Sequence, residues 1–475
     1  MVDPEPVVDT PTVPELTEIH SKIFRAYDVR GLVEHELNAD VVYSIGRMFG
    51  SEVRERRVEP IVAVGRDGRA SSPAYLDALA MGLCECGLDV INLGLVPTPL
   101  VHYGALKLGT GAAVVVTGSH NPPSYNGLKF ALGELPFTGT ELGRLQRRLI
   151  DRDFASGHGK SSHYDIVSPY VKDLASRIEI KKPLHVVIDC GNGAAGVLAR
   201  RLFEALGCQT TILYEEVDSS FPNHHPDPAV PANLCDLQEA VIRLGADAGI
   251  AFDGDGDRIG AVSETGENVW ADRLLALFAQ EVLTQNPGRA IVFDVKCGMS
   301  IRQAIAKFGG QAVLSATGHT NIKQRVHAHN ALLGGEFSGH FCFPDRWYPI
   351  DDASYAGARY LELVSRSTGR ASGLFRDIAK LPSTPEILLS VDEHRKFEIV
   401  NHLMRSSSFE SGSVDTTDGL RIDFTDGWGL VRPSNTSPKL SLRFEAETDA
   451  ALQRIKHIFH KELARIEPQL ARQPW

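Results

Sequence analysis

Hydrophobic runs long enough to cross a bilayer are missing from this 475-residue chain: no apolar segment approaches the ~20 residues a membrane-spanning helix needs. A secretion signal is missing as well. The first sixteen residues are rich in proline and acidic side chains and lack a basic segment followed by an apolar one, so they read as a mobile tail. Paired cysteine spacing is absent. The seven cysteines, Cys84, Cys86, Cys190, Cys208, Cys235, Cys297 and Cys342, are odd in number and scattered without a CxxC, which predicts reduced thiols in a cytoplasm. Cys84 and Cys86 fall inside an expected helix as packing residues. Positive charge is in deficit: 49 Lys and Arg against 60 Asp and Glu give a formal net charge of -11. That argues against a nucleic-acid partner, because a phosphate backbone is held by an excess of cations. It does not exclude a small anionic substrate, since a local cluster of cations can bind phosphate inside an acidic protein.

The remaining composition, 43% hydrophobic and 23% charged, is that of a soluble globular protein, in a chain too long for one hydrophobic core. Its strongest organisational signal is an internal echo of apolar strand, polar or Gly-bearing loop, amphipathic helix, Gly and second strand. The copies begin at Pro60 (PIVAVGRDGRASSPAYLDALAMGLCECGLDVINLG), His185 (HVVIDCGNGAAGVLARRLFEALGCQTTILY) and Ala290 (AIVFDVKCGMSIRQAIAKFGGQAVLSATG). Each predicts a βαβ unit, hence mainly parallel pairing in three consecutive doubly wound α/β domains. The C-terminal part differs. GLRIDF, WGLVRPS and KLSLRFEA read as strands, with Asp426-Gly427 as a hairpin turn and an amphipathic helix over about 449–466, giving a fourth, α+β domain. The expected division is a tail over 1–16, α/β domains over 17–165, 166–267 and 268–380, and the α+β domain over 381–475.

Four motifs carry candidate chemistry. In VVVTGSHNPPSYNGLKF, residues 114 to 130, an apolar strand empties into a loop that presents Ser119 beside His120 and Asn121, with Lys129 shortly after. Strand ends of this kind bind ligands in open α/β sheets, although Gly, Ser, Asn and Pro also make ordinary turns. In GIAFDGDGDRIG, residues 249 to 260, Asp253, Asp255 and Asp257 alternate with Gly after a strand, so three carboxylates can face one centre, where a hard divalent cation would relieve their repulsion. A calcium loop is the rival: Glu264 falls at its twelfth position, but Arg258 stands where its sharp turn needs Gly, and a strand precedes in place of a helix. The balance favours Mg²⁺, which keeps room for a phosphoryl oxygen. LGGEFSGHFCF, residues 333 to 343, offers Glu336, Ser338 and His340, groups able to hydrogen-bond vicinal diols or to be structural. VRPSNTSPKLSLRFEA, residues 431 to 446, offers Arg432, Ser434, Asn435 and Thr436, the components of a phosphate nest or of a plain loop. Asn435-Thr436-Ser437 also fits a glycosylation acceptor, a use that the missing secretion signal does not support. Tyr27 and Arg30 in FRAYDVRG, Lys296 in DVKCG and His319 in ATGHT add polar and positive groups.

In this order and at these separations the four motifs closely resemble the α-D-phosphohexomutase family, from about Ile23 to the end of the chain. GEFSGH is similar to the GEMSGH of its phosphomannomutase/phosphoglucomutase branch, with Phe337 in place of Met, more than to the GEQSGH of phosphoglucosamine mutases. The resemblance implies four domains around a central cleft, Ser119 as phosphoryl carrier, and Asp253, Asp255 and Asp257 as ligands of Mg²⁺ beside it, with Ser119 completing the metal set. It implies that Glu336 and Ser338 read sugar hydroxyls and that Arg432, Ser434, Asn435 and Thr436 clamp the substrate phosphate. Arg30, Lys129, His319 and His340 match positions of proton transfer and charge stabilisation, and Tyr27, Arg258 and Lys296 match further cleft positions.

The implied reaction interconverts hexose 1- and 6-phosphates of mannose or glucose through a 1,6-bisphosphate that turns over in the cleft. Three Asp and a phosphoserine near -2 against one Mg²⁺ leave about -3, which Arg30, Lys129 and Arg258 can offset. His340 and Lys129 are the candidate bases for the acceptor hydroxyl. The fourth domain is expected to hinge and exclude water. A monomer is expected, with a dimer open. The rivals are a phosphoglucosamine mutase, a Mg²⁺-dependent sugar phosphatase and a non-catalytic calcium-binding protein.

Overall fold

The computed structural model describes residues 23–133, 135–137, 139–406, 409, 412–434, 437–473 and 475. The expected tail over 1–16 lies outside the described residues. In each of the three echoes the leading strand is an apolar run closed on both faces: Val62, Ala63 and Val64; Val186, Val187 and Ile188; Ile291, Val292 and Phe293 are all fully buried. Such runs belong to sheets covered by helices on each side. The pairing across each echo is parallel, with Val62 opposite Val90, Val187 opposite Thr211 and Val292 opposite Val313.

The repetition extends further than the echo. In the first sheet the order is Asp89–Leu95, Ile61–Arg66, Ala112–Val116, Tyr125–Leu132; in the second, Gln209–Leu213, His185–Asp189, Ala248–Phe252, Ile259–Ser263; in the third, Gln311–Ser315, Ala290–Asp294, Leu333–Gly335, Phe341–Cys342. Each therefore runs second, first and third strand in parallel, then a fourth strand that returns antiparallel to the third. The mainly parallel expectation holds for these three strands and fails at the fourth, and in the first two sheets also at the strand beyond it, Val29–Leu32 and Asn268–Val269, which again pairs antiparallel. In all three the reversal falls inside one of the motifs singled out above.

The fourth sheet is wholly antiparallel, in the order Ile387–Ser390, Lys439–Ala446, Gly427–Pro433, Leu420–Phe424, Ser413–Asp415. Phe424 pairs with Gly427, so the hairpin turn is Thr425-Asp426, one residue earlier than expected, and Gly427 opens the next strand. The period-two alternation along these strands separates two faces. Leu420, Ile422, Val431, Leu440, Leu442 and Phe444 pack against the helices Arg395–Ser406 and Asp449–Ile466, through Ile399, Leu403, Ile455 and Phe459. The intervening residues, among them Arg421, Trp428, Arg432, Arg443 and Glu445, lie on the opposite face. Cys84 ends the helix Ser72–Cys84, whereas Cys86 lies two residues beyond it, fully buried. All seven cysteines are free.

Candidate active site

The first three motif loops, 117–124 after Ala112–Val116, 253–258 after Ala248–Phe252 and 336–340 after Leu333–Gly335, each join two antiparallel strands, and the fourth motif lies between the antiparallel strands Gly427–Pro433 and Lys439–Ala446, with Ser434, Ser437 and Pro438 described. They converge on one cavity of about 390 Å³. Its wall includes Tyr27, Arg30, Ser119, Lys129, Arg258, Lys296, His319, Glu336, Ser338, His340, Arg432 and Ser434. Asp253, Asp255 and Asp257 lie buried next to Ser119 and Lys129. Asn435 and Thr436 lie outside the described residues.

Ser119 is buried, and its Oγ stands 3.2 Å from His120 Nδ1 and 3.4 Å from Asp253 Oδ2. The three Asp side chains offer oxygens that all lie within 4.8 Å of one another. Burial, then the charges of Asp255 and Asp257, push the Asp253 carboxyl well above the usual carboxylate range. Burial also opposes charge on Asp257, but Lys129, His340 and Arg258 outweigh it and hold that carboxyl well below. Lys129 Nζ donates to Asp255 Oδ2 at 2.8 Å and Asp257 Oδ2 at 2.6 Å. Burial opposes its charge too, yet the Asp residues hold it above the ordinary lysine range. Asp255 Oδ1 and Asp257 Oδ1 are buried without a hydrogen-bond partner. Two such acceptors in a triad of hard oxygens are what a divalent cation satisfies, so these residues fit a metal centre.

The two histidines across the cavity stack, ring centroids 5.4 Å apart. His340 accepts from Arg258 Nε at 3.0 Å through Nε2, and burial pushes its pKa down to about 3. His319 is likewise held below the imidazole range, first by burial and then by Lys323; its Nδ1 lies 3.2 Å from Asp351 Oδ2. Tyr27 meets the His319 ring edge-on. Arg30 spans Asp28 Oδ2 at 2.6 Å and Asn121 Oδ1 at 2.7 Å.

In the same cavity wall Glu336 accepts from Gly318 N at 2.6 Å, and burial with the nearby Asp294 raises its pKa to about 8. Lys296 pairs with Glu386 at 3.2 Å. Although burial opposes its charge, Glu386 is brought to about 2 by Lys296, Ser441 and Arg432. Arg432 donates through Nε to Asp418 at 2.8 Å, while its Nη2 is buried with no partner among the described residues. A buried guanidinium nitrogen aimed at no protein acceptor beside a polar cavity is a ready donor for an anion.

Several functional side chains escaped the motif reading. Asp28, Asp351, Asp418 and Glu386 are the carboxylate partners of Arg30, His319, Arg432 and Lys296; Asp28 stands inside FRAYDVRG and was passed over, and the other three lie outside their partners' motifs. Thr98 donates to Asp255 Oδ2 at 2.5 Å from a helix start that carries no polar pattern. His225 and Asp227 also line the cavity. A detectable signal existed at GRDGR, DCGNG and DVKCG, which fill the same place in the three echoes, although only Lys296 of these stood out.

The sequence matches four family descriptions in succession: phosphoglucomutase/phosphomannomutase α/β/α domain I over residues 21–154, domain II over 168–266, domain III over 270–381, and the C-terminal domain over 386–462. A phosphomannomutase/phosphoglucomutase of Pseudomonas aeruginosa is 46% identical over 97% of this chain and 98% of its own. A phosphoglucomutase of Neisseria gonorrhoeae is 41% identical over 94% of this chain and 97% of its own. The crystal structure of a phosphoglucomutase/phosphomannomutase family protein from Burkholderia thailandensis superposes with a TM-score of 0.89 at 43% identity, covering 94% of this chain and 98% of that one. An N-acetylphosphoglucosamine mutase of Aspergillus fumigatus, 14% identical, shares the fold with a TM-score of 0.58. The repeated sheets, the convergent hairpin loops and these matches over nearly the whole length give one conclusion: the chain belongs to the phosphoglucomutase/phosphomannomutase family.

Proposed function

We propose that this protein is a cytoplasmic enzyme that interconverts the 1- and 6-phosphates of glucose, mannose or both, with Ser119 as the phosphoryl carrier and a hexose 1,6-bisphosphate as intermediate. One observation carries the reading. A single cavity is lined both by a buried hydroxyl 3.4 Å from a metal-ready Asp triad and by Arg432, whose buried Nη2 has no partner among the described residues. A phosphatase needs only the first feature. A calcium-binding protein needs neither the hydroxyl nor the anion donors. The domains in this reading divide near residues 165, 267 and 380.

Asp253, Asp255 and Asp257 would hold Mg²⁺, which when bound supplies charge neutralisation to a phosphoryl oxygen at Ser119. In the forward step the bond between Ser119 Oγ and phosphorus breaks as one forms to the sugar hydroxyl, and phosphoryl transfer of this kind rests on positioning and charge stabilisation. Lys129, held as an ammonium, stabilises charge and is a poor base. His340 has its Nε2 occupied by Arg258. His319 is better placed: a neutral ring whose Nδ1–H donates to Asp351 keeps the lone pair of Nε2 for the proton of the acceptor hydroxyl, and the same atom returns a proton in reverse. His120, with Nδ1 3.2 Å from Oγ, is placed to exchange the proton that Ser119 gains when it loses phosphate. Glu336 and Ser338 orient sugar hydroxyls, and Arg432, Ser434 and Lys296, with Asn435 and Thr436, hold the phosphate that does not react.

Intact mass before and after incubation with Mg²⁺ and glucose 1,6-bisphosphate tests the reading, with the site mapped by peptide analysis. One stable phosphate on Ser119, absent from Ser119→Ala, is expected. Steady release of inorganic phosphate with no stable adduct would instead indicate a phosphatase. Competition among glucose, mannose and glucosamine phosphates then ranks the substrates.

A further inference from the structure

The GRDGR segment that closes the first parallel strand lines no part of the cavity, yet it is tied to the reactive loop more heavily than any other segment. We propose that Arg69, braced by Asp67, is the positioning residue that fixes Ser119 for phosphoryl transfer; this rests on the reading of Ser119 as the carrier.

Arg69 is buried. Its Nη2 donates to Ser119 O at 2.8 Å and Asn121 O at 2.6 Å, its Nη1 to Pro122 O at 2.7 Å and Tyr125 O at 2.8 Å, and its Nε to Asp67 Oδ2 at 3.1 Å. All five donors of the guanidinium are thereby used, four of them on backbone carbonyls, three in the loop and one on Tyr125, the first residue of the strand that follows it. Asp67 completes the brace. It accepts from Arg69 N at 3.1 Å, Ser72 Oγ at 2.6 Å, Gly118 N at 3.1 Å and Thr117 Oγ1 at 2.9 Å. Thr117 Oγ1 in turn accepts from Ser119 N at 2.8 Å. The loop's main chain is therefore held on both sides of the hydroxyl-bearing residue.

That residue needs holding. Ser119 has φ of 50°, the left-handed region, which is strained for a non-glycine residue and persists only where surrounding contacts over-determine it. The fit leaves no slack. A Cβ on Gly118 would come within 2.4 Å of Arg69 Nε, and a Cβ on Gly254, in the metal loop, within 2.6 Å of Ser119 O. The Ser119 carbonyl is thus clasped between the guanidinium and the backbone of the metal loop, which sets Oγ against Asp253. In the corresponding places of the other two repeats the brace is lighter: Ala194 N donates to Gly254 O at 2.9 Å, and Phe337 N to Asp294 Oδ1 at 3.1 Å. The heaviest brace stands where an atom must react, and transfer geometry tolerates only about 0.5 Å of error. Lysine, with three donors on one nitrogen, cannot reproduce a planar fan over four carbonyls.

The test compares wild type, Arg69→Lys, Arg69→Ala with and without millimolar guanidinium, and Thr117→Val, reading kcat, KM, melting temperature and the lifetime of the phosphate on Ser119. For Arg69→Lys, kcat falls on the order of 10² while KM stays within about threefold, since a misplacement near 1 Å costs that much without touching substrate contacts. Guanidinium restores part of the rate to Arg69→Ala, a response that a purely structural residue would not give. If the Arg69 variants do not fold, Thr117→Val decides: kcat about tenfold lower at unchanged KM supports the brace, and parity with wild type overturns it. Folded Arg69 variants with wild-type kcat and phosphate lifetime also overturn it. Failure of the wild type itself to take phosphate on Ser119 removes the functional reading, a distinct result seen before any variant is made.

Discussion

The first three domains and the fourth are joined to the molecule in different ways. One continuous apolar core runs through the first three, from Ala63, Leu93 and Val115 through Ile188 and Phe252 to Phe293 and Phe341. The fourth keeps its own core beneath its two helices, and among the described residues it meets the third domain in one small apolar cluster, where Trp428 and Leu430 pack with Val295, Met299 and Leu314. The rest of that seam is polar. Arg421 donates to Val295 O at 2.6 Å and Cys297 O at 3.0 Å, Arg443 to Asp272 at 2.9 Å, and Met299 N donates to Glu445 at 2.5 Å. Buried charge pairs of this kind fix orientation more than they add net stability. The proposed carrier Ser119 and the Asp triad thus sit in the part of the molecule whose domains share an apolar core. Arg432 and Ser434, the donors proposed for the phosphate that does not react, sit on the part whose seam is mostly polar, with one small apolar cluster.

The comparison breaks most directly at Ser119. Ser119→Ala should lower kcat by more than about 10⁴, far beyond the 10² to 10³ typical of losing one stabilising donor, with an unchanged melting temperature. A folded variant that keeps even a hundredth of the rate would show that the rigid half does not hold the carrier. Arg432→Gln is the matching probe of the other half. Losing a charge-assisted contact worth roughly 1.5–3 kcal/mol should raise KM about 10- to 100-fold while kcat moves little. An equal loss in kcat would mean that the fourth domain shares in the chemistry.

A smaller effect separates the sugar loop from both. Glu336 is raised from 4.5 to about 8 by burial and Asp294. An acid held above its unfolded value stabilises the fold fully below pH 4.5, and loses that contribution as pH rises through 8. The melting temperature of the wild type should therefore fall across this window by several degrees more than that of Glu336→Gln, whose amide oxygen keeps the bond from Gly318 N. Parallel melting curves for the two proteins between pH 5 and 9 would rule out a protonated Glu336.

The sequence displayed the periodic parts of this structure and concealed the paired ones. Runs such as IVAV and AIVF announced parallel strands because both faces are buried, and the alternation in KLSLRFEA announced a two-faced strand. What the echo did not reveal was its last element. The return strands Tyr125–Leu132 and Ile259–Ser263 begin in the motifs themselves, where Asn, Gly and Asp mask the strand pattern. Ser119 and the Asp triad stood out in the sequence because their polar neighbours are local, Ser119 beside His120 and Asn121 and three Asp within five residues. Asp351, Asp418 and Glu386 were not, since each is defined by a partner on another element, 32, 14 and 90 residues away. Arg69 was hidden for the same reason: its role lies in four carbonyls, which leave no mark on a sequence.

The smallest effect sharpens the comparison at the seam. Phe337, between Glu336 and Ser338, is buried with its ring stacked on Trp270 and the guanidinium of Arg443 3.6 Å from its centroid. Through that contact the sugar loop of the rigid half touches the polar face of the fourth sheet. A desolvated cation–π pair is worth about 1–2 kcal/mol, and Phe337→Leu should destabilise the protein by roughly that amount. It should also loosen the coupling between the fourth domain and the loop, raising KM two- to fivefold at constant kcat. A double-mutant cycle with Arg443→Met isolates the pair, and a coupling of about 1 kcal/mol is expected. Strictly additive losses would mean that Phe337 packs for its own domain alone and that the two halves meet through the carbonyls and carboxylates of the seam and the Trp428–Leu430–Val295 cluster.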